Sequence, residues 1–555
     1  NIDCFGQVNG EAICDNCNIC NGNDLALDDC EVCFGNNMDM DCEGVCFGNS
    51  IEDACGVCDD NIGNDNLTCS GCTDINAENY SPNALFFDNT CEYSDQVFHV
   101  PNEYNLIQDA IFYSSSGDTV EVGPGVYNEN INFLDKGIVL KSQYQNIEDI
   151  NNYVINGIDS MSTISIEDIN DNSAVIGFTI TNGYGRGISF EDFISMAADE
   201  EAFDSLITNV IRGGGISISN SSPYLRDLHI RNNIARNVGA GIGLINSNSI
   251  IERCTISDNN IPDGDALGGG GIAINGGNPT IIDSKISNNL VGHNLYSLNG
   301  GGGILCGFSF GNEILQLNLI NTELSGNEAN IGAGIGALSG NLFVEHTLIY
   351  NNIGDFGSAI SLGEPLGLAI SDIYLQIINS TIVSNIGTIG LGLINSSHIN
   401  AVNSIFWDNG DIEFSPLPNN NELNIDLNYC NTNDVFAGEG NLISDPLFTD
   451  SENFNFSLLE FSSCIDAGTS DINMDGVSDI ENFFGLAPDI GYMEYEPTCS
   501  GITGDINFDS EVNILDIVQM SSCILDLSCD ICLDLNSDNI INILDIINLV
   551  NIILY

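Results

Sequence analysis

The sequence predicts a mainly β, stacked solenoid, preceded by a Cys-rich segment and followed by a small helical segment with two calcium-type loops. Three observations predict it: a Gly-rich turn that runs into Ile at six places, an Asn at a near-constant distance behind each, and two matching oxygen-rich runs near the C-terminus. The Ile positions are Ile216, Ile242, Ile272, Ile304, Ile335 and Ile360, and the Asn positions are Asn233, Asn259, Asn289, Asn327, Asn352 and Asn385. Four of the six separations are 17 residues, and the other two, 23 and 25, carry loop insertions. Short β-rich units of fixed period cannot bury their own faces and must stack. The recurrent Asn is expected to stack at one turn, each side chain hydrogen-bonding the next rung's backbone. A weaker unit places Leu391 before Asn409.

Composition bounds the function. The chain has 555 residues, 79 acidic against 9 basic side chains and a formal net charge of −70. Nucleic acid is excluded as a partner, because phosphate binding needs a basic face, and an anionic membrane surface is disfavoured for the same reason. With 43% hydrophobic and 16% charged residues the chain can bury a core. No apolar run reaches the ~18–20 residues that span a bilayer, so no transmembrane segment is expected. A start at Asn1 without Met or apolar leader reads as a mature, processed form. Thirteen of the 21 Cys lie in the first 91 residues, a density that points to disulfides and a secreted or cell-surface location.

Residues 1–71 are short Cys-Gly units such as Cys30-Glu-Val-Cys33-Phe-Gly35 and Cys42-Glu-Gly-Val-Cys46-Phe-Gly48. Such pairs could ligate zinc, but the segment contains no His and an exported, acidic chain favours disulfides. Residues 72–95 run from Cys72-Thr-Asp-Ile-Asn to Cys91-Glu-Tyr93. This string resembles a small Cys-bracketed module of bacterial surface proteins, and the resemblance implies a Cys72–Cys91 bridge and a spacer role.

The solenoid is expected over 96–496. Residues 103–114 place apolar side chains at helical spacing, and Gly117-Asp-Thr-Val-Glu-Val122 and Gly123-Pro-Gly-Val-Tyr127 follow. A short helix leading into alternating strands resembles the N-terminal cap of right-handed parallel β-helix proteins of the pectin-lyase type. Asp445-Pro-Leu-Phe448, Cys464-Ile-Asp-Ala-Gly468 and Pro488-Asp-Ile-Gly-Tyr-Met-Glu-Tyr495 resemble the closing segment of secreted bacterial β-helix proteins. The run from Asp471 to Asp479 alternates carboxylates and an amide around a Gly, which suits calcium or a plain polar turn.

Residues 497–555 carry the two loops. Asp505, Asn507, Asp509, Asn513 and Asp516 stand at positions 1, 3, 5, 9 and 12 of the first, and Asp534, Asn536, Asp538, Asn542 and Asp545 repeat them 29 residues later. Position 7, Glu511 or Ile540, would add a backbone carbonyl, which gives the six or so oxygens calcium needs. The tandem looks like a dockerin domain, whose family folds around two calcium ions and binds cohesin modules. Ser510 and Asn539 replace the Gly expected at position 6, which weakens calcium binding. Ile514-Leu515 and Ile543-Leu544 replace the polar pair many dockerins present, which argues against a cohesin-like partner. Cys523, Cys529 and Cys532, with Cys499 nearby, are expected to staple this segment.

Aligning the rungs gives two columns expected to face outward on a strand. One reads Asp227, Arg253, Asp283, Asn321, His346, Asn379, Asn403, and the other His229, Thr255, Lys285, Glu323, Leu348, Thr381, Ile405. Leu228, Cys254, Ser284, Thr322, Thr347, Ser380 and Ser404 between them should point inward. In the catalytic reading Asp227 and Asp283 stand about 10 Å apart, two rungs of ~4.8 Å, near the upper end for an inverting glycoside hydrolase. Alternatively Arg253 or Lys285 abstracts the proton α to a uronate carboxylate, as in a polysaccharide lyase. His229, Lys285, Asn321 and His346 are the substrate-binding candidates. The competing reading is an Asp227–Arg253–Asp283 salt-bridge ladder on a solvated face. It is favoured because Gly-His-Gly and Arg-Ile-Lys strings are missing and no Lys or Arg follows Lys285. The acidic insertion Glu191–Asp204 either pairs with the neighbouring Arg residues or walls a cleft, and His99 and His398 stand apart from both columns. The expectation is a non-catalytic extracellular adhesin, carbohydrate-binding or structural component, with a polysaccharide or surface glycan as partner and end-to-end self-assembly through its apolar C-terminal helices. A secreted lyase or hydrolase is the alternative.

Overall fold

A computed structural model describes residues 96–189, 212–292, 300–307, 315–363, 373–416 and 424–495, apart from 159, 170, 171, 394–396, 481 and 482. Near the C-terminus it describes 503–506, 511–526, 533, 535 and 541–554, and before residue 96 short stretches of which 40–47 is the longest. The chain divides into two compact units, Asn1–Asp95 and Gln96–Tyr555.

In the first unit, Cys30–Cys46 and Cys42–Cys58 are disulfides, each spanning 16 residues. The bridges join one Cys pair to the next and leave these four Cys no thiolate for zinc. Cys72 is disulfide-bonded; its expected partner Cys91 lies outside the described residues.

The second unit is built from parallel ladders. Sheet A has 12 strands, from Val97–Val100 to Asn424–Asn428. Sheet B has 11, from Gly125–Asn128 to Asn431–Thr432, and sheet C has 10, from Ile131–Asn132 to Ile412–Pro416. A short fourth ladder, D, has four strands, from Tyr184–Gly185 to Leu290–Val291. One rung runs Tyr224–Arg226 in A, His229–Arg231 in B, Ile234–Ala235 in D and Ile242–Ile245 in C, then re-enters A at Ile250–Glu252. This is a parallel β-helix, and strand twist makes such connections right-handed.

The sequence repeat is the ladder register. Ile216, Ile242, Ile272, Ile304, Ile335 and Ile360 pair in succession along sheet C, and all are buried in one continuous core. The glycine before five of the six Ile has a packing cause; Ala359 precedes Ile360. A Cβ on Gly303 would come within 2.6 Å of the Gly334 carbonyl oxygen one rung on, and Gly241 and Gly271 meet the same obstacle at 2.5 and 2.6 Å.

The Asn column forms a fully buried ladder at the corner after sheet B. Asn289 Nδ2 donates to Ile256 O at 2.9 Å and to Asn327 Oδ1 at 3.0 Å, and the Asn289 backbone N–H donates to the same Oδ1 at 3.0 Å. Asn327 treats Asn352 the same way, at 2.9 and 3.0 Å. The side chains thus bond backbone, as expected, and also one another. The ladder reaches Asn409, whose Nδ2 and N–H both donate to the carboxylate of Glu413. Burial pushes the Glu413 carboxyl up to about 7, helped by Asp408 and Asp434 nearby, although the two Asn409 hydrogen bonds favour the anion. Because the folded pKa lies above the unfolded one, this group's contribution is fully present below pH ~4.5 and is lost as pH rises through about 7. Glu413→Gln is therefore expected to flatten the stability–pH curve between pH 5 and 8, by up to ~3 kcal/mol. Denaturant curves that keep the wild-type slope in the variant would sink this account.

Both ends of the coil are closed. At the N-terminal end, helix α1 (Ile107–Tyr113) lays Ile107, Ala110 and Ile111 over the first rung. Its free N–H groups at Ile107 and Gln108 donate to the buried Glu129 carboxylate, both at 3.0 Å, from a distant loop. After the last rung, residues 445–495 fold back over sheet B. Phe456 packs with Leu348 and Val383, and Ile490 and Leu458 pack with Ile405.

Beyond the coil, helices α2 (Ile514–Asp526) and α3 (Ile543–Leu554) pack through Met520 and Leu549, with Ile506. Among the described residues, no helix is long and apolar enough to cross a membrane.

Candidate functional site

The column from Asp227 to Asn403 does not lie in a strand. Asp227, Arg253, Asp283, Asn321, His346, Asn379 and Asn403 all have positive φ, between 44° and 52°. They are single left-handed residues at the corner between sheets A and B, a conformation that Asn, Asp and His tolerate best. The residues after them point inward as expected. Leu228, Cys254, Ser284, Thr322, Thr347, Ser380 and Ser404 are buried, and several bond rung to rung, as Thr347 N–H does to Ser380 Oγ at 3.1 Å.

At the corner, Asp227 is 3% exposed. Its Oδ1 and Oδ2 accept from Arg253 Nε and Nη2, both at 2.9 Å, and the Tyr144 hydroxyl donates to Oδ2. Arg226 Nε lies 3.4 Å from the same oxygen, and Glu252 holds the other side of Arg253. Burial, then the Asp227 hydrogen bond and charge, push the Tyr144 phenol up to about 12. Burial alone would lower the Arg253 guanidinium, but the Asp227 hydrogen bonds and charge raise it. Two arginines and two carboxylates thus balance around a buried centre, Asp227, with Arg253 and Glu252 partly exposed at its rim.

The expected salt-bridge ladder is half formed. Asp283 is exposed and accepts from Asn321 Nδ2 at 2.6 Å, while Arg253 forms its ion pairs with Asp227 and Glu252. The basic members of the second column are also engaged. Lys285 Nζ donates to Glu323 at 2.7 Å, as does the Tyr350 hydroxyl at 2.6 Å. Burial would raise the Glu323 carboxyl, but these hydrogen bonds hold it below the usual carboxylate range. His229 sits 3.4 Å from Asn151 Oδ1, and burial and then Arg231 lower its pKa. Leu348 and Ile405, expected to face outward, do so but are buried under the closing segment. The acidic insertion 191–204 lies outside the described residues.

His346 and Asn379 meet in a cleft of about 480 Å³, lined by Glu345, Ile378, Ile472, Asn473, Asp479 and Ile480. Asn379 Nδ2 lies 3.3 Å from His346 Nε2. The Asp471–Asp479 loop forms the other wall and is held by its own backbone: Asp471 accepts from the Asp475 and Gly476 N–H groups, and Asp479 from those of Ile472 and Asn473.

In the C-terminal loops, Asn507, Asp509, Asp534, Asn536, Asp538 and Ile540 lie outside the described residues. The position-12 carboxylates are alike and fully buried at the starts of α2 and α3. Asp516 accepts from the Ile506 and Asn513 N–H groups, both at 2.8 Å, and Asp545 from those of Leu535 and Asn542 at 2.9 and 2.8 Å. Among the described residues no group of three or more His, Cys, Asp or Glu converges on a metal position.

A second outward surface lies on sheet A, apart from both columns. Outward residues of sheet A pair as Asn341–Tyr374–His398 and Phe343–Gln376–Asn400 across three strands. The alternation was visible in Asn341-Leu-Phe-Val-Glu345, Tyr374-Leu-Gln-Ile-Ile378 and His398-Ile-Asn-Ala-Val402, where the first and third residues are polar or aromatic and face out, the second and fourth are aliphatic and face in, and the fifth turns from Glu345 to Ile378 and Val402 along the outward column.

Among families of known sequence pattern, residues 132–328 match one described as "Protein of unknown function (DUF1565)". No curated protein matches the chain. Among solved structures, the pectate lyase Pel9A aligns at 12% identity over 73% of this chain and 97% of its own, with a TM-score of 0.42. A pectin methylesterase in complex with hexasaccharide VII aligns at 15% identity over 66% and 98%, with a TM-score of 0.25. The pectin methylesterase from Yersinia enterocolitica aligns at 12% over 63% and 98%, also with a TM-score of 0.25.

Proposed function

We propose that the chain is an extracellular, non-catalytic β-helix protein, an adhesin, carbohydrate-binding or structural surface component with a calcium-stabilised docking segment at its C-terminus. The observation that carries this reading is the state of Asp227. A general base or nucleophile must reach substrate with a lone pair to spend. Asp227 is buried and both of its oxygens are occupied by Arg253. Asp283, the exposed carboxylate of the candidate pair, is thereby left without Asp227 as its working partner. The disulfides Cys30–Cys46 and Cys42–Cys58 suit an oxidising, extracellular compartment.

Calcium fits the C-terminal loops through their two buried, matching carboxylates, Asp516 and Asp545. Asp505, Asn507, Asp509, Asn513 and the Glu511 carbonyl would complete the first set, and Asp534, Asn536, Asp538, Asn542 and the Ile540 carbonyl the second. The ions would supply folding energy and no chemistry.

The test is a depolymerisation screen on neutral and anionic polysaccharides in calcium and in EDTA, reading reducing ends and unsaturated products, with Asp283→Asn alongside. No turnover by intact protein is expected. Product that disappears in Asp283→Asn would overturn the non-catalytic reading in favour of a lyase or hydrolase. EDTA is expected to reduce the far-UV helical signal, and an unchanged spectrum would remove the calcium claim.

A further inference from the structure

We infer that the outer face of sheet A over Asn341–Glu345, Tyr374–Ile378 and His398–Val402 binds an extended, uncharged polysaccharide. The inference rests on the non-catalytic reading and names the ligand and its place. Three features of the face point there.

The first is unspent hydrogen-bonding capacity. In the buried corner ladder from Asn233 to Asn409 each amide is consumed by its neighbours. By contrast Asn341, Gln376 and Asn400 are half-exposed strand residues whose side chains have no protein partner among the described residues. Each carboxamide offers two donors and an acceptor in one plane, a match for neighbouring hydroxyls on a sugar ring.

The second is an aromatic step between those amides. Tyr374 and His398 stack on adjacent rungs with ring centroids 5.6 Å apart and planes 13° from parallel, and Phe343 stands 6.5 Å from Tyr374. Partly exposed rings provide flat apolar area, which suits the C–H face of a pyranose. Rungs repeat at ~4.8 Å and alternate outward residues at ~6.8 Å, so the face offers a flat, regular floor. It runs into the cleft described above, because Glu345 and Ile378 form the next outward column and line that cleft.

The third is charge. All of these rungs follow Lys285, the last Lys or Arg of the sequence, and the whole chain carries a net −70. A uronate polymer would meet repulsion with no Lys or Arg to offset it. Uncharged hydroxyl-rich polymers meet none.

The experiment is native affinity electrophoresis of the full chain through gels containing galactomannan, hydroxyethylcellulose or polygalacturonate. At least one of the two neutral polymers is expected to retard the protein, and polygalacturonate is not. Tyr374→Ala/Gln376→Ala should weaken retardation about tenfold or more, while Ser257→Ala on sheet B leaves it unchanged. Melting curves of the double variant should match wild type, since neither side chain is buried. Retardation by neither neutral polymer, equal retardation by polygalacturonate, or full retardation of the double variant would each overturn the inference. Product released from a bound polymer would instead sink the non-catalytic reading and leave the binding face standing.

Discussion

Asn327→Ala is expected to destabilise the coil by ~3 kcal/mol or more, whereas Asn341→Ala should change it by less than about 0.5 kcal/mol. Both substitutions remove the same side chain from the same stretch of coil. Asn327 is fully buried, and its loss strips an acceptor from two donors of Asn289, its backbone N–H and Nδ2. The Ile286 carbonyl, which Asn327 Nδ2 reaches at 2.9 Å, loses its side-chain donor as well. The ladder is closed off from bulk solvent, so each orphaned group costs about 1–3 kcal/mol. Asn341 is half-exposed and solvent takes its place. Urea melts of the two variants decide the matter: equal midpoints would show that the ladder is incidental to stability.

Asp227→Ala is expected to cost about 3–5 kcal/mol, the usual loss when one partner of a buried ion pair is removed. The variant leaves Arg253, Arg226 and Tyr144 arranged around a charge that is gone. Two cations would then face each other, so a double variant with Arg253→Met should recover part of the loss. This prediction separates the two readings of the corner. If Asp227 were a catalytic group, its replacement would spare the fold and abolish turnover. A variant with wild-type melting behaviour would therefore remove the structural account of this residue.

The register of the coil was legible because its cause is local and repeated. Gly241, Gly271 and Gly303 recur where rung approaches rung too closely for a Cβ, and Asn289 and Asn327 recur where an amide must bridge two rungs. The corner between sheets A and B was not legible as a corner. Asp227 points out and Leu228 points in, so a two-residue turn preserves the alternation of a strand, and only the backbone angle of 52° at Asp227 separates them. The covering of sheet B by residues 445–495 was concealed by sequence distance. Its signal was present in the outward column, which turns apolar at Leu348 and Ile405, where Phe456 and Ile490 settle. The amide and aromatic face of sheet A was overlooked because the scarce charged residues drew attention to sheet B.

The overlapping bridges of the first unit bear on how tension would travel through it. Cys42 lies inside the loop closed by Cys30–Cys46, and Cys46 lies inside the one closed by Cys42–Cys58. A pull applied across residues 30 and 58 passes from Cys30 to Cys46, back along the short stretch to Cys42, and on to Cys58. The backbone between these points is held slack, and only reduction would pay it out at ~3.3–3.6 Å per residue. A cut at residues 43–45 would leave both fragments tethered, because each bridge crosses it. The segment thus behaves as chain links, inextensible under oxidising conditions and tolerant of nicking.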